Sequence, residues 1–314
     1  MAVREADKTI TELIAERKAT KRTVDVIVEK TVPKLLLLCA IVSILTTIGI
    51  VVTLLFETVT FFTHVPFLEF LTSKEWYPFY STPSYGILPL IMGTLQVTFI
   101  AIVIAVPLGL GAAIFLSEYA SVRTRKVLKP ILEVLAGVPT IVYGFFALTF
   151  VTPLLQKVIP DLSVYNALSP GIVIGIMITP MIASLSEDGM SAVPRSLREA
   201  AYGMGATKFE VAVKVVLPAA LSPVIASFVL AISRAIGETM IVTVAGGSNP
   251  TASLDITSAI QTMTAYIVQV SSGDAGYGTT IYYSMYAVGM TLFVFTLVMN
   301  LLAQYISKRF REEY

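Results

Sequence analysis

The chain contains several uninterrupted apolar stretches that are long enough to cross a lipid bilayer as helices. A membrane-spanning helix needs roughly 20 mainly apolar residues. Charge-free windows of that length cover residues 35–56, 76–117, 134–156, 162–186 and 275–307, and a sixth window, 217–245, is interrupted by two charges. Within the long second window Pro78, Pro83 and Gly86 would break the first part, so we place that helix at residues 88–116. The pattern predicts an all-α integral membrane protein with six transmembrane helices.

The composition supports this class and excludes others. Of the 314 residues, 55% are hydrophobic and 14% are charged, and the mean hydropathy is +0.80, whereas a soluble domain carries roughly 25% charged residues. The single Cys39 excludes a disulfide within the chain, and the single His64 leaves no cluster for a metal site. A net charge of +1 argues against general attraction to nucleic acid. The first apolar stretch is too long and begins too late for a cleavable signal peptide.

The positions of lysine and arginine predict the side of the membrane on which each loop lies, because cytoplasmic loops retain these residues. Of the 22 lysine and arginine residues, 19 fall in the tail up to Lys34, in loops 117–130 and 187–216, and at the C-terminus. The opposite loops hold only Lys74 and Lys157. We therefore expect both termini in the cytoplasm.

The tail, residues 1–33, is predicted to be cytoplasmic. Ile10, Leu13, Ile14 and Arg17 recur at helical spacing, which is consistent with an amphipathic helix lying on the membrane face. A solvated, loosely ordered tail is the alternative. The membrane domain then covers residues 34–310.

Arg234 and Glu238 lie inside the sixth window, in the sequence S-R-A-I-G-E-T-M. Their i, i+4 spacing predicts that both lie on one helix face. Arginine at the centre of a span costs roughly 2.5–3.5 kcal/mol, so such residues usually face a cavity. The planar paired donors of a guanidinium suit an oxyanion such as phosphate, and we predict that Arg234 meets one. Glu238 would neutralise Arg234 or accept a hydrogen bond from a protonated phosphate oxygen. A purely structural ion pair is the alternative.

A loop between two apolar windows reads E-A-A-Y-G-M-G from Glu199, then nine residues, then V-V-L-P ending at Pro218. Its propensities predict a helix, a turn at Gly205 and a second helix. It resembles the EAA loop of ABC importer permeases, E-A-A-x-x-x-G-x9-I-x-L-P, with Val215 in the Ile position. An ordinary amphipathic connector is the alternative.

The EAA resemblance implies a coupling loop, residues 187–218, that docks into a groove on a cytoplasmic ATPase. Small side chains would allow close approach and a glycine would allow the bend. The residues to which this role is assigned are Glu199, Ala200, Ala201, Gly205, Leu217 and Pro218.

Four stretches carry a second resemblance. The sequence R-A-I-G-E-T from Arg234, with G-V-P-T-I-V-Y-G from Gly137, is similar to phosphate permeases of the high-affinity Pst system. The sequences Y-G-I-L-P-L-I-M-G-T from Tyr85 and L-S-E-Y-A from Leu116 resemble the PstC type more than the PstA type. The resemblance runs from about residue 85, with a core permease region of about 88–306.

This family resemblance implies a type I ABC importer permease fold in the plasma (inner) membrane of a prokaryote. Its partners would be a PstA-type permease, two copies of a PstB-type ATPase and a PstS-type phosphate-binding protein. ATP-driven transport of inorganic phosphate would proceed by alternating access. In the family, the residues matching Arg234 and Glu238 are associated with transport.

The sequence contains no match to the nucleotide-binding motif G-x-x-x-x-G-K-[ST]. We therefore expect that this chain is not an enzyme, that it has no catalytic residue, metal or cofactor, and that ATP and Mg bind to the partner ATPase. Glu187 and Asp188 are expected to form a solvated helix end.

Three alternatives remain open at this point. Sulfate and molybdate permeases share the EAA loop and an R-x-x-G-E sequence. A proton-coupled secondary phosphate transporter would use Glu238 as a proton carrier, although it would not explain the loop. An intramembrane enzyme would need motifs that the spans lack.

Overall fold

The computed structural model of the protein describes residues 23–309. The expectation for the tail before residue 23 lies outside the described residues. The chain divides into two units, Met1–Phe56 and Glu57–Tyr314. Helix α1, Thr23–His64, begins in the first unit and ends in the second. Because the described part of the first unit is this one helix, it has no second element with which to form a core. Its apolar side chains suit a hydrocarbon environment.

The second unit is almost entirely helical. After α1 it contains a short helix α2, Phe67–Thr72, and an antiparallel pair, β1 Trp76–Tyr77 and β2 Ser84–Tyr85, in which Trp76 is opposite Tyr85. The remaining helices are α3 Leu88–Ile114, α4 Val122–Ala136, α5 Thr140–Phe146, α6 Thr152–Gln156, α7 Leu168–Ser191, α8 Arg195–Gly203, α9 Lys208–Val211, α10 Leu217–Ala219, α11 Leu221–Ile236, α12 Met240–Ala245, α13 Met263–Gln269 and α14 Thr280–Arg309. Wider π-helical turns follow α3, α5, α9 and α13 at Phe115–Tyr119, Ala147–Val151, Ala212–Val216 and Val270–Asp274.

Four helical segments among the described residues are long and apolar enough to cross a membrane. They are Thr31–His64, Leu88–Tyr119, Leu168–Ser191 and Thr280–Leu302. Two bent pairs, Val122–Ala136 with Thr140–Gln156 and Lys208–Ala219 with Leu221–Ile236, bring the number to six if each pair is one span. The prediction of an all-α membrane protein is confirmed, and six spans are reached by counting each bent pair once.

The bounds of the predicted third span are wrong at its start. Residues 134–156 were expected to form one helix, but α4 ends at Ala136 and α5 begins at Thr140, with an angle of 86° between the two halves. Gly137 is a weak helix former, and Pro139 lacks an amide donor and disfavours the helical conformation of Val138. The helix therefore turns at the motif G-V-P.

Two other predicted spans begin later than expected. Helix α7 starts at Leu168 rather than 162, where the side-chain oxygen of Asn166 accepts a hydrogen bond from the Ser169 amide at 2.7 Å. Helix α14 starts at Thr280 rather than 275, and the hydroxyl of Thr279 accepts from the Tyr282 amide at 3.2 Å. In both cases a side chain just before the helix accepts from an amide of the first turn, which the helix itself leaves without a partner.

The central core of the second unit forms where α3 packs along α7. Ala101, Ile174, Ile178 and Ile182 are buried there. The two backbones approach closely because Gly175 has no side chain, and a Cβ at this position would lie 2.9 Å from the carbonyl oxygen of Ala101. Small residues commonly allow such contacts between membrane helices.

Replacing Gly175 with valine should therefore destabilise the fold by about 1–3 kcal/mol, because overpacking forces the helices apart. The matched control is Gly111→Val on α3, where an added Cβ meets nothing within 4 Å. Thermal denaturation of the purified protein in detergent measures both variants. Equal midpoints for the two variants would contradict this account of the α3–α7 contact.

Candidate functional site

The sixth apolar window is a broken helix. Arg234 lies in the last turn of α11, which ends at Ile236, and α12 starts only at Met240. The expectation that Arg234 and Glu238 share one helix face is therefore wrong. Gly237, a weak helix former, caps the end of α11. The break thus separates the arginine, which is on a helix, from the glutamate, which is between two helices.

Glu238 holds the break together. Its side chain is buried, with 8% of the residue exposed, and Oε1 accepts hydrogen bonds from the amides of Met240 at 3.1 Å and Ile241 at 3.4 Å. These amides lie in the first turn of α12, where a helix cannot satisfy its own donors. The hydroxyl of Thr264 donates to the Glu238 carbonyl oxygen at 2.8 Å and so ties the break to α13.

The Arg234 side chain is exposed and lines a cleft of about 330 Å³. Its guanidinium forms no hydrogen bond or ion pair with any residue that the structure describes, so the structural ion pair with Glu238 is not formed. Leu230 of α11 lines the same cleft, together with residues of α4 and α7. These are Leu132, Glu133, Ala136, Met177, Pro180, Met181, Ser184 and Leu185. The arrangement leaves five N–H donors of a permanent cation available to an anion.

The stretch G-V-P-T-I-V-Y-G, from Gly137 to Gly144, packs against the helix that follows this break. Gly144 of α5 packs against α12, and a Cβ at Gly144 would lie 3.2 Å from the Met240 carbonyl oxygen and 3.3 Å from the Ile241 Cα. The hydroxyl of Tyr143 donates to the Leu135 carbonyl oxygen at 2.8 Å, across the bend between α4 and α5. The break in α11–α12 and the bend at Gly137–Pro139 are therefore parts of one packed region.

The predicted coupling loop folds as a helix, a turn and a second helix, as expected. We call residues 195–219 the elbow. Helix α8 ends in a Schellman motif, in which the Gly205 amide donates to Tyr202 and the Ala206 amide to Ala201, and Gly205 has a φ of +85°. The next helix, α9, begins with a capping box between Thr207 and Glu210.

The residues predicted for coupling lie on both faces of the elbow. Glu199, Ala200, Gly205 and Pro218 are exposed. Ala201 and Leu217 instead pack against a buried cluster that includes Met190, Val211 and Val224. The first group is available to a partner, whereas the second group attaches the elbow to the helices beneath it. Tyr202, Met204 and Phe209 add exposed apolar surface to the outer face.

A buried ion pair that the sequence analysis missed anchors the elbow. Arg198 Nη2 lies 3.0 Å from Glu118 Oε1 in the π turn after α3, and the side chain of Glu118 is 4% exposed. The same guanidinium donates to the carbonyl oxygens of Val193 at 2.6 Å and Met190 at 2.7 Å. Glu118 directly follows a long apolar stretch, but Arg198 lies among other charged residues and the two are 80 positions apart, so no signal in the sequence indicated this pair.

A second cluster of charges ties α4 to the end of α7. Glu187, with a side chain that is 0% exposed, pairs with Arg125 and with Lys129 at 3.0 Å, and Lys129 also contacts Asp188 at 2.5 Å. The expectation of a solvated helix end is therefore wrong for Glu187. Two basic side chains from α4 compensate its burial, which would otherwise be costly.

Comparisons with known proteins agree with this architecture. Residues 105–312 match the family described as binding-protein-dependent transport system inner membrane component. A probable ABC transporter permease protein, YqgH, of Bacillus subtilis is 37% identical over 77% of this chain and 78% of its own length. The phosphate transport system permease protein PstC of Mesorhizobium japonicum is 35% identical over the same shares of the two chains.

The solved structures that match are ABC transporters of low sequence identity, which bear on the fold alone. A chain of a bacterial ABC transporter involved in the import of the acidic polysaccharide alginate has a TM-score of 0.65 at 17% identity, over 93% of this chain and 100% of that chain. A chain of the inward-facing MetNI methionine ABC transporter has a TM-score of 0.53 at 17% identity, over 72% of this chain and 95% of that chain.

Removing one member of the Arg198–Glu118 pair should destabilise the protein, because the other charge is left buried without compensation. We expect Glu118→Ala to cost about 3 kcal/mol. The matched control is Lys214→Ala, which removes the exposed pair between Lys214 and Glu210 and should cost under about 1 kcal/mol. Thermal denaturation in detergent measures the stability of both variants. Similar losses of stability in the two would show that the buried pair does not anchor the elbow.

Proposed function

Because the chain belongs to the family of binding-protein-dependent transport system inner membrane components, we propose that it is a permease subunit of an ATP-driven importer of inorganic phosphate. The observation that carries the proposal is the exposed Arg234 guanidinium, which has no partner among the described residues and lines a cleft beside a broken helix. The PstC proteins among the relatives support phosphate as the anion.

The position of Arg234 along α11 suits a contact during passage. The helix starts at Leu221, next to the elbow, and Arg234 lies 13 residues further, which is about 20 Å along the helix axis. Since the hydrocarbon core is about 30 Å thick, an anion there is well inside the membrane. A cation so placed needs compensation. The carboxylate of Glu133 lines the same cleft but forms no ion pair with Arg234 in the described part of the chain. An oxyanion in the cleft would supply the compensation through paired hydrogen bonds.

We assign Glu238 two roles in this path. Its Oε1 keeps the break in shape through the amides of Met240 and Ile241. Its Oε2 makes no hydrogen bond with the described residues and would accept one from a protonated phosphate oxygen, which fully ionised sulfate lacks. The glutamate then favours phosphate over sulfate without forming an ion pair with Arg234.

We propose that the exposed face of the elbow, with Glu199, Ala200 and Gly205, docks on a cytoplasmic ATPase. Leu217 and Ala201 pack beneath it and pass movement of the elbow to the helices, and Pro218 lies next to the start of α11. ATP and Mg would bind to that partner, and both termini of this chain would lie in the cytoplasm.

The complete importer would contain a PstA-type permease beside this chain, two PstB-type ATPases below and a PstS-type binding protein outside. Residues 1–33 would be a cytoplasmic tail, residues 34–310 the permease domain, and residues 187–218 the coupling loop. Relatives bearing the PstC name support this assignment of partners.

The role of Arg234 is tested by ATP-driven uptake in vesicles that contain the complete complex. Arg234→Ala removes a charged, paired contact, so phosphate uptake should fall on the order of 100-fold. Arg234→Lys keeps the charge but loses the planar donors, and it should recover only part of the uptake.

Co-purification of the partner chains with Arg234→Ala controls for assembly. Parallel assays with labelled sulfate and molybdate test the anion. Normal phosphate uptake by Arg234→Ala would refute the role of this residue, and faster uptake of sulfate or molybdate by the wild-type complex would refute phosphate as the cargo.

The docking role of the elbow is tested by Gly205→Val. A β-branched residue is strained at a φ of +85°, by about 1–2 kcal/mol or more, so the turn after α8 should shift. We expect weaker co-purification of the ATPase, or ATP hydrolysis that no longer drives uptake.

The matched control for the elbow is Gly203→Val, two residues earlier, inside α8 and with nothing within 4 Å of an added Cβ. This variant should keep a coupled complex, whereas Glu199→Gln should weaken the attachment. If Gly205→Val and Glu199→Gln both retain the ATPase and coupled uptake, the docking assignment is wrong.

A further inference from the structure

A second polar pocket lies at the end of the helices opposite the elbow. It is formed by the chain segment Trp76–Tyr80, the turn Ser248–Pro250, Gln261, and the α13 residues Tyr266 and Gln269. Helix α3 begins at Leu88, just after this segment, and leads into the π turn that contains Glu118. The distance from Leu88 to Glu118 is about 45 Å along the helix axis. The pocket is therefore remote from the elbow and distinct from the Arg234 cleft, with which it shares no lining residue.

Trp76 supplies an unused hydrogen-bond donor in this pocket. Its side chain is 0% exposed, and the indole Nε1 has no hydrogen-bond partner among the described residues. Edge-to-face contacts with the rings of Tyr85 and Tyr266, with centroids 6.0 and 4.8 Å away, hold the indole in place. A buried tryptophan N–H usually finds a partner, and one left unpaired costs about 1–3 kcal/mol. Trp76 therefore brings a buried donor without a partner among the described residues to the wall of this pocket.

Two glutamines provide a further oriented donor. Gln261 is buried, and its Nε2 donates to Gln269 Oε1 at 2.7 Å. This bond fixes the side-chain amide of Gln269. The NH₂ group of Gln269 makes no hydrogen bond to any described residue. The side chains of Ser248 and Asn249 are exposed at the same pocket and make no hydrogen bonds within the described part of the chain. Gly247, with a φ of +92°, turns the chain so that they face this region.

The chemistry of the lining selects a small oxyanion. The residues around the pocket include no Asp, Glu, Lys, Arg or His, so the pocket offers neutral N–H and O–H donors and lacks the carboxylates that a cation would need. Hydrogen bonds from such donors to an anion are worth about 1.5–3 kcal/mol each. Because no cation compensates the lost hydration, binding should be weak and release fast. The cavity of about 120 Å³ has room for a small oxyanion.

The pocket is connected to the helix break by α13. This helix carries Tyr266 and Gln269 at the pocket, and Thr264 donates to the carbonyl oxygen of Glu238 at 2.8 Å. At the start of α13, the hydroxyl of Thr94 on α3 accepts from the Met263 amide at 3.1 Å. One short helix, fixed to α3, therefore links the outer pocket to the residue that shapes the Arg234 region.

We propose that this outer pocket is a second oxyanion site, in which the Trp76 N–H, the Gln269 amide and the Ser248–Asn249 turn hold inorganic phosphate before it reaches Arg234. The proposal rests on the proposed function. It assigns the pocket to the incoming anion rather than to a side chain of the external binding protein.

The test uses the complete complex in detergent, without binding protein, titrated with inorganic phosphate at constant ionic strength. Trp76 is the only tryptophan of this chain, so the difference in emission between the wild-type and Trp76→Phe complexes isolates its signal. We expect a saturable change on adding phosphate. It should require at least tenfold more phosphate in Gln269→Leu, and it should persist in Arg234→Ala because the two sites are separate.

The matched control is Gln304→Leu, an exposed glutamine on α14 that does not line the pocket, and its titration should equal that of the wild type. The proposal is overturned if no saturable change occurs, if Gln269→Leu matches the wild type, or if Trp76 responds only to added binding protein.

Uptake distinguishes this inference from the proposed function. If the wild-type complex carries phosphate, Trp76→Phe and Gln269→Leu should each slow uptake at saturating loaded binding protein by about tenfold, with the partners still bound. Uptake at the wild-type rate in both variants would refute the outer site but would not affect the assignment of the chain as a permease subunit. A wild-type complex that carries no phosphate would instead refute the proposed function, whatever the titration gives.

Discussion

A break in a membrane helix must find partners for the backbone groups that it frees, because hydrocarbon offers none. Between α11 and α12 that requirement is met by the carboxylate of Glu238, which accepts from two amides, and by Thr264, which donates to the Glu238 carbonyl oxygen. Because the break separates Glu238 from the helix that carries Arg234, the two side chains form no ion pair. The irregular backbone and the free cation are thus two results of one local arrangement.

Buried ion pairs serve a different purpose at the elbow end. Glu118 with Arg198 fixes α8 to the turn after α3, and Glu187 with Arg125 and Lys129 fixes α4 to α7. Such pairs do not necessarily raise stability over apolar packing, but their directional geometry favours one arrangement of the helices. An elbow attached this way and packed through Ala201 and Leu217 moves together with the helices rather than independently of them.

The sequence predicted the fold class well, because the bilayer alone sets the length of an apolar span and excludes charges from it. Neither requirement depends on how the helices pack. Helix ends were predicted less well. At the start of α7 the side chain of Asn166 accepts from the Ser169 amide, and the turn at Gly137–Pro139 converts one expected span into two helices at 86°. These are local backbone effects that a hydropathy window averages away.

The roles of Arg234 and Glu238 stay predictions, and the geometry expected for them was wrong. Residue spacing placed Arg234 and Glu238 on one face because it assumed a continuous helix, whereas Gly237 ends the helix between them. The buried state of Glu187 could not be read from its neighbours in sequence, since its partners lie on α4, near residues 125–129. The Trp76 donor was also missed, because an aromatic residue beside a membrane span is ordinarily assigned to the interface.

The position of Arg234, which has no ion-pair partner among residues 23–309, also bears on the coupling that we propose between transport and the elbow. A ligand shifts a conformational equilibrium only by the difference in its affinity for the two states. Arg234 lies near the end of α11, and the other end of that helix adjoins the elbow at Ala220. Any tilt of α11 that accompanies elbow movement therefore changes the distance between the guanidinium and the opposite wall of its cleft, including Pro180 and Met181. With the anion contact that we propose for Arg234, the affinity for the anion would depend on the position of the elbow, and by reciprocity a bound anion would favour one position of the elbow.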